Sequence, residues 1–159
     1  MLKRIVSSAL LIFVAVTLGT IVYQELQVSR SRAINWGTGS ATYVIYFHAN
    51  KRCTTCNNME AYTKAVLKSD FEEEVAKRAI RWQTHNWQKP ENKSYVEKFS
   101  LIGNAVYLVG VEKSSYVRHQ NLPEIWDYSH DKIKFKEYIR SSIRNFMKNP
   151  NVGKEVSKS

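Results

Sequence analysis

A chain of 159 residues, 43% hydrophobic and 24% charged with a net charge of +10, has the length of one globular domain and is too apolar for a low-complexity disordered segment. Its two cysteines exclude a disulfide-framework scaffold and a four-thiolate zinc site. The lack of any repeat of about 20–50 residues excludes solenoids and propellers.

The first predicted element is apolar throughout. Residues 5–23 (IVSSALLIFVAVTLGTIVY) carry no charge, and Lys3 and Arg4 stand just before them. As a helix they would measure roughly 28 Å, close to the hydrocarbon thickness of about 30 Å. Residues 1–24 are therefore expected to form a transmembrane signal anchor. A cleaved signal peptide is the lesser alternative, because Gln24, Glu25 and Leu26 follow the run and the small-residue site Ser31-Arg32-Ala33 lies well downstream. The positive-inside rule keeps Lys3 and Arg4 in the cytoplasm. The expected location is the cell inner membrane, single-pass, with an extracytoplasmic (periplasmic) C-terminal domain.

Residues 25–40 lose the apolar run and end in Gly37-Thr38-Gly39-Ser40, which reads as a linker. A domain over residues 41–148 follows, then a basic tail at 149–159 expected to fray. Residues 42–49 (TYVIYFHA) predict a central strand, apolar on both faces. Met59, Tyr62, Val66 and Leu67 recur at helical spacing after Cys56, and Ser69-Asp70-Phe71-Glu72 reads as a capping box opening a second short helix. Residues 81–87 predict a second strand, and Pro90 opens a helix to about Leu101. Residues 104–113 (NAVYLVGVEK) form the most β-like stretch and pair with 116–120 as a hairpin. A last helix over 123–148 is expected to bury Ile133, Phe135, Ile139, Ile143 and Phe146. The order β-α-β-α-β-β-α, a parallel pair followed by an antiparallel pair, is the core of the thioredoxin fold: α/β with a mixed four-stranded sheet after an N-terminal transmembrane helix.

Chemistry concentrates at Cys53-Thr54-Thr55-Cys56, between a predicted strand and a predicted helix. A helix N-terminus, with its unsatisfied amides and partial positive charge, favours thiolate at the first cysteine, and Lys51 and Arg52 add positive charge. Cys53 is then the attacking thiolate and Cys56, one turn into the helix and more buried, the resolving thiol. An inert disulfide and a two-thiolate metal site remain as alternatives to exchange; a c-type haem site is excluded in its usual form because Asn57 follows Cys56. His48, at the strand end, assists proton transfer or is a satisfied strand-end histidine, with nothing to separate the two. Glu60 faces the same side of the helix as Cys56, and a solvated carboxylate is favoured over a proton relay.

Tyr46-Phe47-His48, Arg52-Cys53-Thr54-Thr55-Cys56, Glu60-Ala61-Tyr62-Thr63, Pro90-Glu91-Asn92-Lys93 and Asn121-Leu122 with Trp126 together resemble small thioredoxin-like bacterial proteins named as a nitrophenyl-compound nitroreductase subunit. The resemblance covers residues 42–147. It implies a thioredoxin-like fold and a working cysteine pair. The name implies reduction of aromatic nitro groups, for which the sequence holds no G-x-G-x-x-G and nothing like a flavin or nicotinamide site. The chain departs from ordinary thioredoxins in having Ala105 where they carry a cis-proline, with a trans bond expected there. It also lacks Trp-Cys-Gly-Pro-Cys and an Asp in the first strand.

The basic excess is local, since residues 132–158 hold eight basic and two acidic residues. Lys132, Lys136, Arg140, Arg144 and Lys148 recur every four residues and read first as a solvated helix face. Anionic lipid headgroups are the functional alternative and nucleic acid the least supported partner. The sequence thus points to a membrane-anchored, extracytoplasmic protein performing thiol-disulfide exchange, or else to a non-catalytic thioredoxin-like subunit docking onto a membrane complex. The expected partner is an exported dithiol protein or a membrane electron carrier, with no cofactor, metal or nucleic acid.

Overall fold

The computed structural model describes the backbone of residues 2–31 and 34–153, and the side chains of residues 10–24 and 34–153. The chain divides into two units, Met1–Ile34 and Asn35–Ser159. The first consists of helix α1 (Leu2–Ser31). Its apolar side chains are exposed: Leu10, Leu11, Ile12, Phe13, Val16, Leu18, Ile21 and Val22. Among the described residues no helix is long and apolar enough to cross a membrane. The side chains described in α1 cover only residues 10–24, short of the roughly 20 residues a span needs. The expected anchor over residues 1–24 is therefore unsupported there, and Met1 and the side chains of residues 2–9 lie outside the described residues.

The second unit is built on a mixed four-stranded sheet of order β2-β1-β3-β4, with β1 at Ala41–His48, β2 at Ile80–Asn86, β3 at Ala105–Glu112 and β4 at Ser115–Asn121. Strands β1 and β2 are parallel, with Phe47 beside His85. Strand β3 runs antiparallel to β1, with Val44 beside Leu108, and β4 antiparallel to β3. The α/β class and the mixed sheet are as expected, and this order and direction are compatible with a thioredoxin-like fold.

Strand β1 buries both faces because neighbouring side chains alternate across a pleat. Val44 and Tyr46 join one core with Met59, Val66 and Leu67 of α2 (Thr54–Asp70), Val106 and Leu108 of β3, and Phe135, Ile139, Ile143 and Phe146 of α5 (Lys132–Lys148). The other face is aromatic. Phe47 packs against Tyr95 and Phe99 of α4 (Lys93–Phe99) and Tyr107 of β3, while Trp36 meets Tyr43, Tyr95 and Phe99. The folded unit thus takes in Trp36, which is buried although it lies in the predicted linker.

Four local expectations are corrected. Ile133 is 81% exposed, because it lies two residues before Phe135 and so about 200° around the helix from the buried face. The last helix starts at Lys132 rather than near Pro123: Asp131 caps it by accepting from the amides of Ile133 and Lys134, both at 3.0 Å, after a separate 3₁₀ turn at Pro123–Ile125. The capping box does not form before α3 (Glu72–Ala76). Ser69 donates to Asp70 instead (2.5 Å), and Asp70 in turn accepts Arg140 Nε from α5 (2.5 Å). Finally, residues 149–153 turn back rather than fray: Val152 packs on the core, and the Gly153 carbonyl accepts His119 N–H (2.9 Å) at the edge of β4. The rest of the predicted tail, residues 154–159, lies outside the described residues.

The basic row on α5 is partly engaged within the fold. Besides the pair with Asp70, Arg140 bonds Glu137, Lys132 lies over the Tyr62 ring (5.7 Å) and Arg144 over the Phe71 ring (5.9 Å).

A candidate thiol-disulfide site

One end of the sheet gathers the chemistry. The parallel strands β1 and β2 end at His48 and Asn86, and β3, which runs the other way, begins at Ala105 beside Phe47. Crevices outside the carboxyl ends of such strands are where α/β folds place ligands. From His48 the chain turns through residues 49–52 into α2.

Cys53 is the N-cap of α2, with extended backbone (φ −80°, ψ 168°), and its Sγ accepts Cys56 N–H at 3.2 Å. The helix thus starts where the motif predicts, with the first cysteine at its positive end. Cys53 and Cys56 form a disulfide with a Cα–Cα separation of 5.1 Å. Cys53 is exposed and Cys56 is 5% exposed, so only the first sulfur stands open to a partner.

The surroundings of the pair differ from expectation in charge. Glu60, favoured from sequence as a solvated carboxylate, is 8% exposed and bonded to Arg52 and to Lys64 (2.6 Å). Burial pushes its carboxyl up, but the hydrogen bonds from Lys64 and Arg52 outweigh burial and hold it below the usual carboxylate range. Arg52 therefore does not act on Cys53 as a free positive charge; Glu60 balances it. The Arg52 guanidinium also lies 5.9 Å from the centre of the Tyr46 ring. Tyr46 donates its hydroxyl to the Cys56 carbonyl (2.8 Å), and burial first, with Glu60 adding and Arg52 opposing, pushes its phenol up to about 12. It remains a neutral donor at all ordinary pH.

His48 is half-buried at the end of β1, and its Nδ1 lies 2.9 Å from the Ala49 carbonyl. A carbonyl only accepts, so Nδ1 carries the proton and Nε2 is the nitrogen left for exchange. His85, on the neighbouring strand, stacks on Tyr95 at 4.4 Å between ring centres; burial, then the charge of His48, holds it below the usual histidine range.

Asn104, which no motif in the sequence marks, joins the site together. Its Oδ1 accepts Ala49 N–H (2.8 Å) and Trp87 Nε1–H (3.3 Å), its Nδ2 lies 3.3 Å from Cys56 Sγ, and its carbonyl accepts Trp126 Nε1–H (3.2 Å). The only sequence signal was its place, after Gly103 and ahead of the strongest strand. The following Ala105 is joined by a trans bond. Beside Asn104 runs a groove of about 450 Å³, lined by Leu101, Ile102, Ala105, Leu122, Ile125 and Trp126 among others. At its rim Ile102 is 97% and Trp126 48% exposed.

Among the described residues no group of three or more His, Cys, Asp or Glu could hold a metal ion. The fold and the site define an α/β unit with a C-x-x-C disulfide at a strand-to-helix junction. Compared with models of known protein families the chain matches none, and no curated protein matches it either.

Proposed function

We propose that this chain is a thioredoxin-like protein that exchanges thiol for disulfide through Cys53 and Cys56. The observation that carries the reading is the disulfide at the N-terminus of α2 with its first sulfur exposed and its second buried. A partner thiolate attacks Cys53 and forms a mixed disulfide, and Cys56 leaves with the electron pair; in the reverse direction Cys56 resolves the mixed disulfide. The helix N-terminus stabilises thiolate at Cys53. His48, through Nε2, moves the proton, and the groove beside Asn104, with its apolar floor and exposed Ile102 and Trp126, receives the partner's chain next to the sulfurs. The reading agrees with the resemblance to the nitroreductase-subunit family in fold and cysteine pair.

The chain is further proposed to be tethered by residues 5–23 to the cell inner membrane, single-pass, with the folded unit on the periplasmic side and an exported dithiol protein or a membrane electron carrier as partner. Support comes from the uncharged run, from its continuous helical backbone and from the apolar side chains that stand exposed among the described residues 10–24. A C-terminal reporter active only outside the cytoplasm should be active; activity of a cytoplasm-only reporter at the same place overturns the topology.

In cells, Cys56→Ser should trap mixed disulfides through Cys53, seen as reducible bands on non-reducing gels; their absence defeats the exchange reading. A second reading, a non-catalytic subunit docking on a membrane complex, is favoured by Ala105, which offers a partner no proline ring at the edge facing the disulfide. A redox midpoint well below about −300 mV would support that reading and a higher one would support exchange.

A further inference from the structure

The Asn104 amide is oriented by its own partners. Two donors, Ala49 N–H at 2.8 Å and Trp87 Nε1–H at 3.3 Å, converge on one terminus of the side chain, which must therefore be the oxygen. The other terminus is the NH₂ group, and it lies 3.3 Å from Cys56 Sγ. A disulfide sulfur is a weak acceptor, whereas a charged acceptor roughly doubles the strength of a hydrogen bond. The contact thus has its greatest value in the state where Cys56 is a thiolate.

We propose that Asn104 is a catalytic residue of the exchange, its amide N–H stabilising the Cys56 thiolate expelled when a partner thiolate attacks Cys53. This inference rests on the exchange reading. The partner thiolate bonds to Cys53 Sγ, the Cys53–Cys56 bond breaks, and its electron pair stays on Cys56 Sγ beside the Asn104 donor. The partner's second thiolate then attacks the partner sulfur of the mixed disulfide and releases Cys53. The partner dithiol is oxidised to a disulfide, the Cys53–Cys56 disulfide is reduced, and the partner's two thiol protons end on Cys53 and Cys56.

The arrangement follows the logic of an oxyanion hole, in which a fixed donor faces the atom where charge develops and needs no reorganisation when it appears. The charged and titratable groups nearby leave this role to a neutral amide. Arg52 is engaged with Glu60 and Lys64 with the same carboxylate; Tyr46 from β1 donates to the Cys56 carbonyl rather than to its sulfur; His48 is turned to Ala49; Lys51 is exposed.

Asn104→Asp is the discriminating variant. A carboxylate still accepts from Ala49 and Trp87, but it faces the sulfur with negative charge in place of a donor. In full-length protein carrying Cys53→Ser, so that Cys56 is the lone thiol, ultraviolet thiolate absorbance should place the Cys56 pKa at least one unit higher with Asn104→Asp, a tenfold fall in thiolate fraction near neutrality. With both cysteines present, the midpoint against glutathione should fall by about 30 mV for each tenfold loss in reducibility. Asn104→Ala should shift both readings the same way by a smaller amount. An Asn104→Asp protein whose tryptophan emission matches the parent and whose Cys56 titration is unchanged overturns the proposal. If the parent disulfide does not equilibrate with glutathione at all, the exchange reading and the catalytic role fall together, while the Cys56 titration separately reports whether the amide supports the thiolate.

Discussion

The two ends of the sheet are held together by different chemistry. At the hairpin end the connections are short and join backbone groups to one another and to two serine hydroxyls. Lys113 and Ser114 make a two-residue turn, both with positive φ (48° and 69°), and residues 39 and 40 lie against it. Ser114 N–H donates to the Gly39 carbonyl (2.9 Å), Gly39 N–H to Ser114 Oγ (3.1 Å) and Lys113 N–H to Ser40 Oγ (3.1 Å). At the disulfide end the loops are tied by amide side chains. Asn104 accepts from Ala49 and Trp87, Gln88 Oε1 accepts Asn50 N–H (2.8 Å), Asn86 Nδ2 donates to Asn50 Oδ1 (2.7 Å), and Asn92 Nδ2 donates to the Asn86 carbonyl (2.9 Å). The difference has a physical reason. Thiol reactivity follows local charge, and neutral amides fix loops around a sulfur without adding a fixed charge to its field. The hairpin end carries no such requirement, and there backbone groups, serine hydroxyls and the charged Arg81, which donates to the Thr38 carbonyl (2.6 Å), make the ties.

If the comparison holds, substitutions should cost more at the disulfide end. The largest effect belongs to Asn104→Ala, which removes the acceptor for Ala49 and Trp87 and the donor to Cys56. It should lower unfolding free energy by about 3 kcal/mol in urea titrations. A loss equal to that at the hairpin would break the comparison. Next comes Glu60→Gln, expected to cost about 2 kcal/mol at neutral pH through two weakened charge-assisted bonds. Its pH dependence sharpens the point. The Glu60 carboxyl is held below its ordinary range in the fold, so its stabilisation is present above the unfolded value and is lost as pH falls through the folded one. The parent should therefore lose stability on acidification more steeply than Glu60→Gln, which thermal melts across the acid range would show.

Smaller effects are expected at the far end. Ser114→Ala removes the acceptor for Gly39 N–H and should cost about 1 kcal/mol by the same titration. Lys113→Asn should stabilise by about 0.5 kcal/mol, because Asn tolerates the left-handed region better than Lys. A destabilisation by Lys113→Asn would show that the Lys113 side chain makes a contribution beyond turn geometry.

Much of this architecture was legible in the residues. The strand before Cys53 and the helix after it followed from an aromatic and β-branched run apolar on both faces and from helical spacing, and Cys53 does cap α2. Ile133 misled because it is apolar, yet its two-residue offset from Phe135 turns it about 200° from the buried face and out to solvent. Glu60 misled in the opposite direction, since a glutamate on a helix is ordinarily solvated; Lys64 lies one turn on along the same helix, but only the fold buries Glu60 and brings Arg52 to it. Asn104 carried almost no signal. An asparagine after glycine reads as a turn, and its partners come from residues 49, 56, 87 and 126, none of them near it in sequence.

The sequence by itself determined the α/β class, the order of elements and the placing of two cysteines at a helix start, because periodicity, turn chemistry and motif spacing are local properties. Only the tertiary structure decided that Arg52 is balanced by Glu60 and that an amide faces the buried sulfur. Those are relations between side chains distant along the chain, fixed by packing four strands and their helices around one sheet end.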